Sequence, residues 1–140
     1  MKKQKFVFME HMADIKFKAY GVSLAEVFEN AALAFSKYVS AHEKIKANKT
    51  KNIEVVGRDN ESLLYTFLDE LIYLLDAENF IVTEAKVKIE KNKLKAKLSG
   101  ANIRNYRLNH VKAATYAEMY VRKVKYGSEE AWEAQVVLDV

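Results

Sequence analysis

Oxygen-bearing groups gather at the two ends of the chain. Near the start, His11 and Asp14 stand three residues apart, just before an alternating apolar run. At the other end, the side-chain carboxylate of Asp139 is followed at once by Val140 and its α-carboxylate. Such oxygens are the ligands that calcium and magnesium prefer, unlike zinc or copper. We expect the ends to meet and hold a hard cation at Asp14, Asp139 and Val140. The alternative is that Asp139 is a solvated strand residue and Asp14 caps a turn.

Other kinds of active site find little support in the sequence. His11 and Asp14 could act in acid–base chemistry, but on a strand a spacing of three points their side chains to opposite faces. No serine lies beside a histidine in a nucleophile elbow, and the four glycines form no phosphate-binding loop. The lack of cysteine excludes disulfides, thiolate nucleophiles and zinc–thiolate sites. The residue patterns of the common enzyme classes are therefore absent.

The composition predicts one folded domain, because half of the 140 residues are hydrophobic and 30% are charged. No apolar run approaches the roughly 20 residues needed to cross a bilayer. Only four apolar residues follow the basic N-terminus, so we expect no membrane association and a cytoplasmic location. The net charge of +4 suits a protein that works near RNA, but equally a lysine-rich solvated surface. Direct nucleic-acid binding is less favoured because only four residues are arginine.

Alternating and helical periodicities predict the elements that position these residues. Strands are expected at 6–9, 15–20, 53–56, 80–90, 93–98, 112–125 and 132–140, the fourth and fifth joined by a hairpin turn at 91–92. One amphipathic helix should begin at the capping box Ser23–Glu26 and end near Ser40, and a second should begin at Asp59 or Asn60. This order favours an α+β fold, a single compact domain over 1–140 with mostly antiparallel sheets on which both helices pack.

Three blocks of the sequence resemble motifs of the archease family. The first joins 11–15 (HMADI) to 21–28 (GVSLAEVF), and the second joins Leu63-Leu64 to 67–71 (FLDEL). The third combines 112–116 (KAATY) with the last five residues, VVLDV. The blocks occur in the family's order, with similar gaps, across essentially the whole chain.

The resemblance implies a small α+β protein that is not itself an enzyme. Archeases act on the tRNA-splicing RNA ligase, which joins 2′,3′-cyclic-phosphate or 3′-phosphate ends to 5′-hydroxyl ends, and they promote guanylylation of the ligase and restore its turnover. The family's divalent-metal site falls on Asp14, Asp139 and Val140 here, with calcium expected first and magnesium or manganese as alternatives. His11 and Lys112 lie in matched motifs and are candidates for contact with the partner.

Two positions depart from the family pattern, and two other functions stay open. Met12 replaces the usual threonine beside the metal block, and Ala117 replaces the histidine that commonly follows the tyrosine. The protein could instead be an RNA-binding or chaperone-like module that uses Arg104, Arg107 and the lysine-faced hairpin. It could also be a small metal-dependent hydrolase. Ligase activation, salt-dependent RNA affinity and phosphodiester hydrolysis would separate the three functions.

Overall fold

The computed structural model describes residues 4–10 and 14–140, which form seven strands and two helices. His11 and Met12 lie outside the described residues. In chain order the elements are β1 (Phe6–Met9), β2 (Asp14–Gly21), α1 (Leu24–Ser40), β3 (Lys49–Val56), α2 (Asn60–Glu78), β4 (Phe80–Glu90), β5 (Lys93–Asn102), β6 (Ala113–Tyr126) and β7 (Glu129–Asp139). The expected α+β class is confirmed. Neither described helix has the length and apolar character to span a membrane.

Two antiparallel sheets enclose the helices. Sheet A has the strand order β1-β2-β7-β6, and sheet B has the order β3-β5-β4. Within the described residues no strand of sheet A packs on a strand of sheet B. Instead, α1 packs on β2 and β4, and α2 packs on β6 and β4, so each helix contacts both sheets. The helices form a middle layer, and each sheet keeps one face turned outward.

Helix α1 is buried around most of its circumference. The sequence predicted one apolar face, made of Leu24, Val27, Phe28, Ala31, Phe35 and Val39. In the structure Ala32, Ala34 and Ser36 are buried as well. These small side chains lie outside the predicted face and let a second sheet approach the helix. A helix buried around most of its circumference belongs to the interior of a fold rather than to its surface.

The start of α1 is set by Ser23, as expected. The Ser23 hydroxyl accepts a hydrogen bond from the Glu26 amide at 3.1 Å, and the Glu26 carboxylate accepts one from the Val22 amide at 2.7 Å. We expect Ser23→Ala to lower the free energy of unfolding by about 0.5–2 kcal/mol, because the Glu26 amide loses its acceptor. Urea denaturation measures this change. Ser128→Ala, in an exposed turn, is the control, and an equal loss in both variants would contradict the capping role.

Carboxylates from both helices cover the edges of the sheets. Glu29 of α1 accepts a hydrogen bond from the Val87 amide of β4 at 2.8 Å, and Glu61 of α2 accepts one from the Val121 amide of β6 at 2.9 Å. Because β4 and β6 are edge strands, their free amides would otherwise be open to pairing with another chain. The N-cap of α2 is Asp59, one of the two expected positions.

The strands of sheet B are longer than the sequence predicted. β3 begins at Lys49 rather than Ile53, and β5 continues to Asn102 rather than ending at Leu98. The two extensions pair with each other, with Lys49 opposite Gly100. Each extension is therefore stabilised by a partner distant in sequence, which local periodicity does not reveal.

Both hairpins of adjacent long strands turn within two residues. Lys91 and Asn92 have φ values of 50° and 62°, which confirms the predicted turn. Gly127, with φ of 66°, and Ser128 connect β6 to β7. β7 therefore begins at Glu129, three residues before its predicted start. Turns of two residues fix the register of the strands that they join.

Strand β6 bulges in its middle, where the sequence predicted a regular strand. Thr115 pairs with Val137 and Tyr120 pairs with Gln135, so residues 116–119 oppose a single position of β7. Within the bulge Glu118 has a φ of 55°, and its carbonyl oxygen accepts a hydrogen bond from the Gln135 side chain at 2.8 Å. The bulge is therefore held by β7, and bulges commonly redirect side chains next to functional sites.

Candidate functional site

Strands β2 and β7 bring the two ends of the chain together. Asp14 pairs directly with Asp139 at the end of the ladder between these strands. Opposed residues of an antiparallel pair point to the same face, with Cβ atoms about 4.5–5.5 Å apart. Because Phe17, Val136 and Leu138 alternate inward and are buried, both carboxylates lie on the outer face of sheet A. Asp139 is exposed there and Asp14 is half-buried.

Val140 and Lys112 lie at the same end of sheet A. Val140 follows Asp139, and its half-buried side chain packs against the core. The backbone amide of Lys112 donates a hydrogen bond to the carbonyl oxygen of Asp139 at 2.8 Å. This bond ties the segment that leads into β6 to the end of β7. The Lys112 side chain is exposed, so its ammonium group is accessible from outside.

Few groups could supply ligands to a cation at this end. In the ranges 4–10 and 14–140, no cluster of three or more His, Cys, Asp or Glu side chains is placed to hold a metal ion. Asp14 and Asp139 form a pair, and a third anionic oxygen would come from the α-carboxylate of Val140. Such a set suits a hard cation that completes its shell of oxygens with water, whereas it does not suit a closed tetrahedral zinc site.

Lys16 lies two residues along β2 from Asp14 and therefore on the same face. Its ammonium group is 2.9 Å from the carboxylate of Glu118 in the β6 bulge. The Lys16 side chain is 16% exposed and that of Glu118 is 48% exposed, so the lysine is the more firmly enclosed partner. Alternation along β2 could have placed Lys16 beside Asp14. Glu118 could not have been placed there from sequence, because its position depends on the bulge.

The bulge also carries an aromatic pair. The ring of Tyr116 stacks on Tyr65 of α2, with ring centroids 4.3 Å apart and planes inclined by 7°. Tyr116 is 52% exposed, and Ala117, where the archease motif commonly has histidine, is exposed as well. The segment 112–116 therefore runs from the paired carboxylates to the surface of α2.

A second polar cluster on the same face was not predicted from the sequence. Glu133 of β7 is almost fully buried, and its carboxylate accepts hydrogen bonds from the hydroxyl groups of Tyr120 and Tyr126. Arg122 and Lys18 approach it at 3.6 and 4.0 Å. Burial, and then the hydrogen bond to Glu133, raise the pKa of Tyr120 well above its ordinary value. Alternation places Glu133 on the outer face of β7 but does not show that it is buried, because long neighbouring side chains cover it only in the folded sheet.

The raised pKa of Tyr120 predicts a loss of stability at alkaline pH. Folded Tyr120 keeps its proton at pH values where the unfolded chain has lost it, so the free energy of unfolding falls as the pH rises above the ordinary tyrosine pKa of 10.0. We expect Tyr120→Phe to flatten this decline, whereas Tyr73→Phe, at an exposed tyrosine of α2, should not. Urea denaturation across this pH range tests the prediction, and identical profiles for wild type and Tyr120→Phe would contradict it.

A cleft of about 350 Å³ lies at the opposite end of sheet A from the paired carboxylates. It is lined by residues of the β2–α1 junction, of α1 and of the β6–β7 hairpin, among them Tyr20, Gly21, Asn30 and Tyr126. Seven residue steps along β2 separate Gly21 from Asp14, a distance of about 23 Å. The cleft and the carboxylate pair are therefore separate features.

Known proteins resemble this chain along nearly its whole length. The model of the Archease protein family matches residues 6–140. Protein archease of Pyrococcus abyssi is 39% identical over an alignment of 138 positions that covers 94% of this chain and 95% of that protein. Protein archease of Methanosarcina mazei is 36% identical over 147 residues and covers 98% of this chain and 97% of its own.

A solved structure shares the fold. The solution structure of Methanobacterium thermoautotrophicum protein 1598 matches with a TM-score of 0.76 and 31% sequence identity, over 97% of this chain and 99% of that one. The family match includes β1, both helices and the strands that carry Asp14 and Asp139. The family match, the relatives and the shared fold show that the chain belongs to the archease family.

Proposed function

We propose that this protein is a non-catalytic cofactor that activates the tRNA-splicing RNA ligase. It would promote guanylylation of the ligase, so that the ligase completes many rounds of joining 2′,3′-cyclic-phosphate or 3′-phosphate ends to 5′-hydroxyl ends. Membership of the archease family supports this proposal. The observation that carries it is the direct pairing of Asp14 with Asp139, because it joins the first and last motifs of the chain in one surface.

We further propose that Asp14, Asp139 and the α-carboxylate of Val140 hold a divalent cation, calcium first, with magnesium or manganese as alternatives. Two carboxylates on opposed strand positions are close enough to share one ion. When bound, a cation of this kind offsets the repulsion between the carboxylates and offers further coordination positions to oxygen atoms of a partner.

The chain's own residues would hold this end in place. The β2–β7 ladder fixes the separation of Asp14 and Asp139, and the Lys112 amide anchors the backbone of Asp139. The ammonium group of Lys16, held by Glu118, lies on the same face and lowers the negative potential along β2. The exposed ammonium group of Lys112 would meet carboxylate or phosphate oxygens of the ligase, and His11 is the other candidate for such a contact.

Adding the purified protein to a stalled ligase with GTP and manganese tests the proposal. We expect faster guanylylation of the ligase and repeated rounds of RNA joining. Phosphodiester hydrolysis by the protein alone would instead assign it to metal-dependent hydrolases. Unchanged ligase guanylylation and turnover at saturating protein would overturn the proposed function.

Lys112→Ala should impair this activation while leaving the fold nearly intact. The side chain is exposed, and exposed substitutions usually change stability by less than about 0.5 kcal/mol. The backbone hydrogen bond to Asp139 does not depend on the side chain and should persist. Lys125→Ala, at the far end of β6, is the matched control because it removes the same charge from an exposed position. Equal ligase turnover with both variants at matched concentration would show that Lys112 does not contact the ligase.

A further inference from the structure

The outer face of sheet B carries an ordered set of lysines. Lys86 and Lys88 of β4 and Lys95 and Lys97 of β5 point away from the helices and are exposed. We call these four residues the lysine face. The hairpin register sets Lys86 directly opposite Lys97 and Lys88 directly opposite Lys95. On this face, two successive cross-strand pairs therefore oppose like charges.

This arrangement destabilises the sheet that carries it. Like charges directly opposite each other in a sheet repel, whereas opposite charges attract. On β3 only Glu54 offers compensation, at 3.1 Å from Lys93 and 3.9 Å from Lys95. Among the described residues, no carboxylate lies within ion-pair distance of Lys86, Lys88 or Lys97. Two more carboxylates on this face, Glu84 and Glu90, flank the two lysines of β4 on either side along the strand. The centre of the face therefore has an excess of positive charge.

Neither packing nor edge protection accounts for all four lysines. The core uses the opposite face of the same strands, where Val87, Leu94 and Leu98 are buried. Lysines often protect an edge strand from pairing with another chain, and β4 is such an edge. β5, however, is the central strand of sheet B, so edge protection gives no reason for Lys95 and Lys97.

We propose that the lysine face binds the phosphate backbone of RNA. The proposal rests on the proposed function, since RNA is what the activated ligase joins. Neighbouring strands are about 4.8 Å apart and alternate residues of a strand about 6.6 Å apart, so the four ammonium groups form a compact array of point charges. A lysine interacts with phosphate as a point charge and reads no base. Binding should therefore be independent of sequence and steeply dependent on salt.

Other anionic partners fit this face less well. Protein interfaces depend on buried aromatic or other large anchors, and attachment to a membrane surface depends on an inserted apolar face. Val56, 64% exposed, is the one large apolar side chain of this face, and it lies at the border opposite Lys93 rather than among the four lysines. Arg104 and Arg107, considered above for RNA binding, lie in the loop after β5 and belong to no strand of the face.

The test measures the affinity of the whole protein for a single-stranded RNA of about 16 nucleotides in two unrelated sequences. The variant carries Lys86→Gln, Lys88→Gln, Lys95→Gln and Lys97→Gln. We expect the slope of log affinity against log salt to be shallower by about 3 in this variant, from about 0.7 for each lost phosphate contact. Between about 50 and 200 mM salt, wild type should then lose about 50-fold more affinity than the variant. Both RNA sequences should give the same result.

The control removes four exposed lysines elsewhere, by Lys44→Gln, Lys46→Gln, Lys123→Gln and Lys125→Gln. It matches the variant in net charge and should keep the slope of wild type. The double variant Lys88→Gln/Lys95→Gln removes half of the charge of the face and should lose about half of the effect. Equal slopes for the fourfold variant and the control would overturn the proposal, because net charge alone would then explain the binding. Binding to vesicles with anionic phospholipid, without binding to RNA, would overturn it and assign the face to a membrane surface.

Failure of this inference can be told apart from failure of the proposed function. Guanylylation of the ligase is assayed with GTP and manganese but without RNA, so the fourfold variant should stimulate it as well as wild type does. In RNA joining, the same variant should need a higher RNA concentration for half-maximal turnover. If the fourfold variant stimulates guanylylation and needs the same RNA concentration as wild type for half-maximal turnover, only the proposed RNA binding by the lysine face is overturned. If the wild-type protein does not stimulate guanylylation, only the proposed role as ligase activator is overturned.

Discussion

Asp139→Asn is expected to remove most of the stabilisation that a divalent cation gives this protein, and to impair activation of the ligase with it. An ion that binds only the folded chain stabilises it by about 2.7 kcal/mol at one hundred times its dissociation constant. The substitution keeps the size of the side chain and its place opposite Asp14, but removes one of the paired charges. Thermal unfolding with and without calcium measures the change. Asp76→Asn, at an exposed carboxylate of α2, should keep the full calcium-dependent shift.

A short neutral extension after Val140 tests the contribution of the α-carboxylate independently of the Asp139 side chain. The extension turns the α-carboxylate into an amide, while the Val140 side chain can keep its contact with the core. We expect it to weaken the calcium-dependent shift nearly as much as Asp139→Asn, and an N-terminal tag of equal length to be milder. If the extended protein keeps the full shift, Val140 is not a ligand. If Asp139→Asn keeps it too, the proposed metal site is wrong.

Gly100→Ala is expected to cost more stability than a methyl group added at any of the other three glycines, because its Cβ would make the closest contacts. A Cβ atom at this position would lie 2.1 Å from the carbonyl oxygen of Ile81 and 2.5 Å from the ring of Phe80. Gly100 is buried in β5 with pairing partners on both sides, Val82 of β4 and Lys49 of β3, so the backbone cannot move away without opening a ladder. Overpacking of a core usually costs about 1–3 kcal/mol, and we expect a loss at or above the top of that range.

The control for Gly100 is Gly127, in the β6–β7 turn. No atom lies within 4 Å of a Cβ built there, but the φ of 66° disfavours a side chain. Gly127→Ala should therefore cost only about 1–2 kcal/mol, and Gly127→Asn less, because asparagine tolerates this conformation. Urea denaturation of the three variants gives the comparison. Gly100→Ala with a stability equal to that of Gly127→Ala would show that the sheet yields easily at Gly100.

Local chemistry was sufficient to predict where the helices begin and how one hairpin turns. Ser23 and Asp59 act as N-caps, since a cap needs only a side-chain oxygen and an amide two or three residues away. The turn at Lys91 and Asn92 likewise depends on residues adjacent in the chain. With a turn of two residues the register of β4 and β5 follows, and with it the opposed lysines of sheet B.

The candidate site was predicted in part. Residue types and motifs indicated Asp14, Asp139, Val140, His11 and Lys112. Alternation indicated the faces of their strands, because side chains of a strand repeat with a period of two. No local signal pairs the second strand with the last, however. That pairing closes a loop of more than one hundred residues, and it is decided by which apolar faces bury each other around α1.

The tertiary structure alone decided the features that depend on distant partners. The bulge of β6 brings Glu118 to Lys16 and stacks Tyr116 on Tyr65. The position of the bulge depends on the pairing of β6 with β7, which the sequence of β6 alone does not reveal. Alternation places Glu133 on the outer face of β7, yet the side chain is buried there by tyrosine and basic side chains from β7's neighbouring strands. Periodicity determines which face of a strand a residue occupies, whereas burial and pairing depend on what the rest of the chain places above that face.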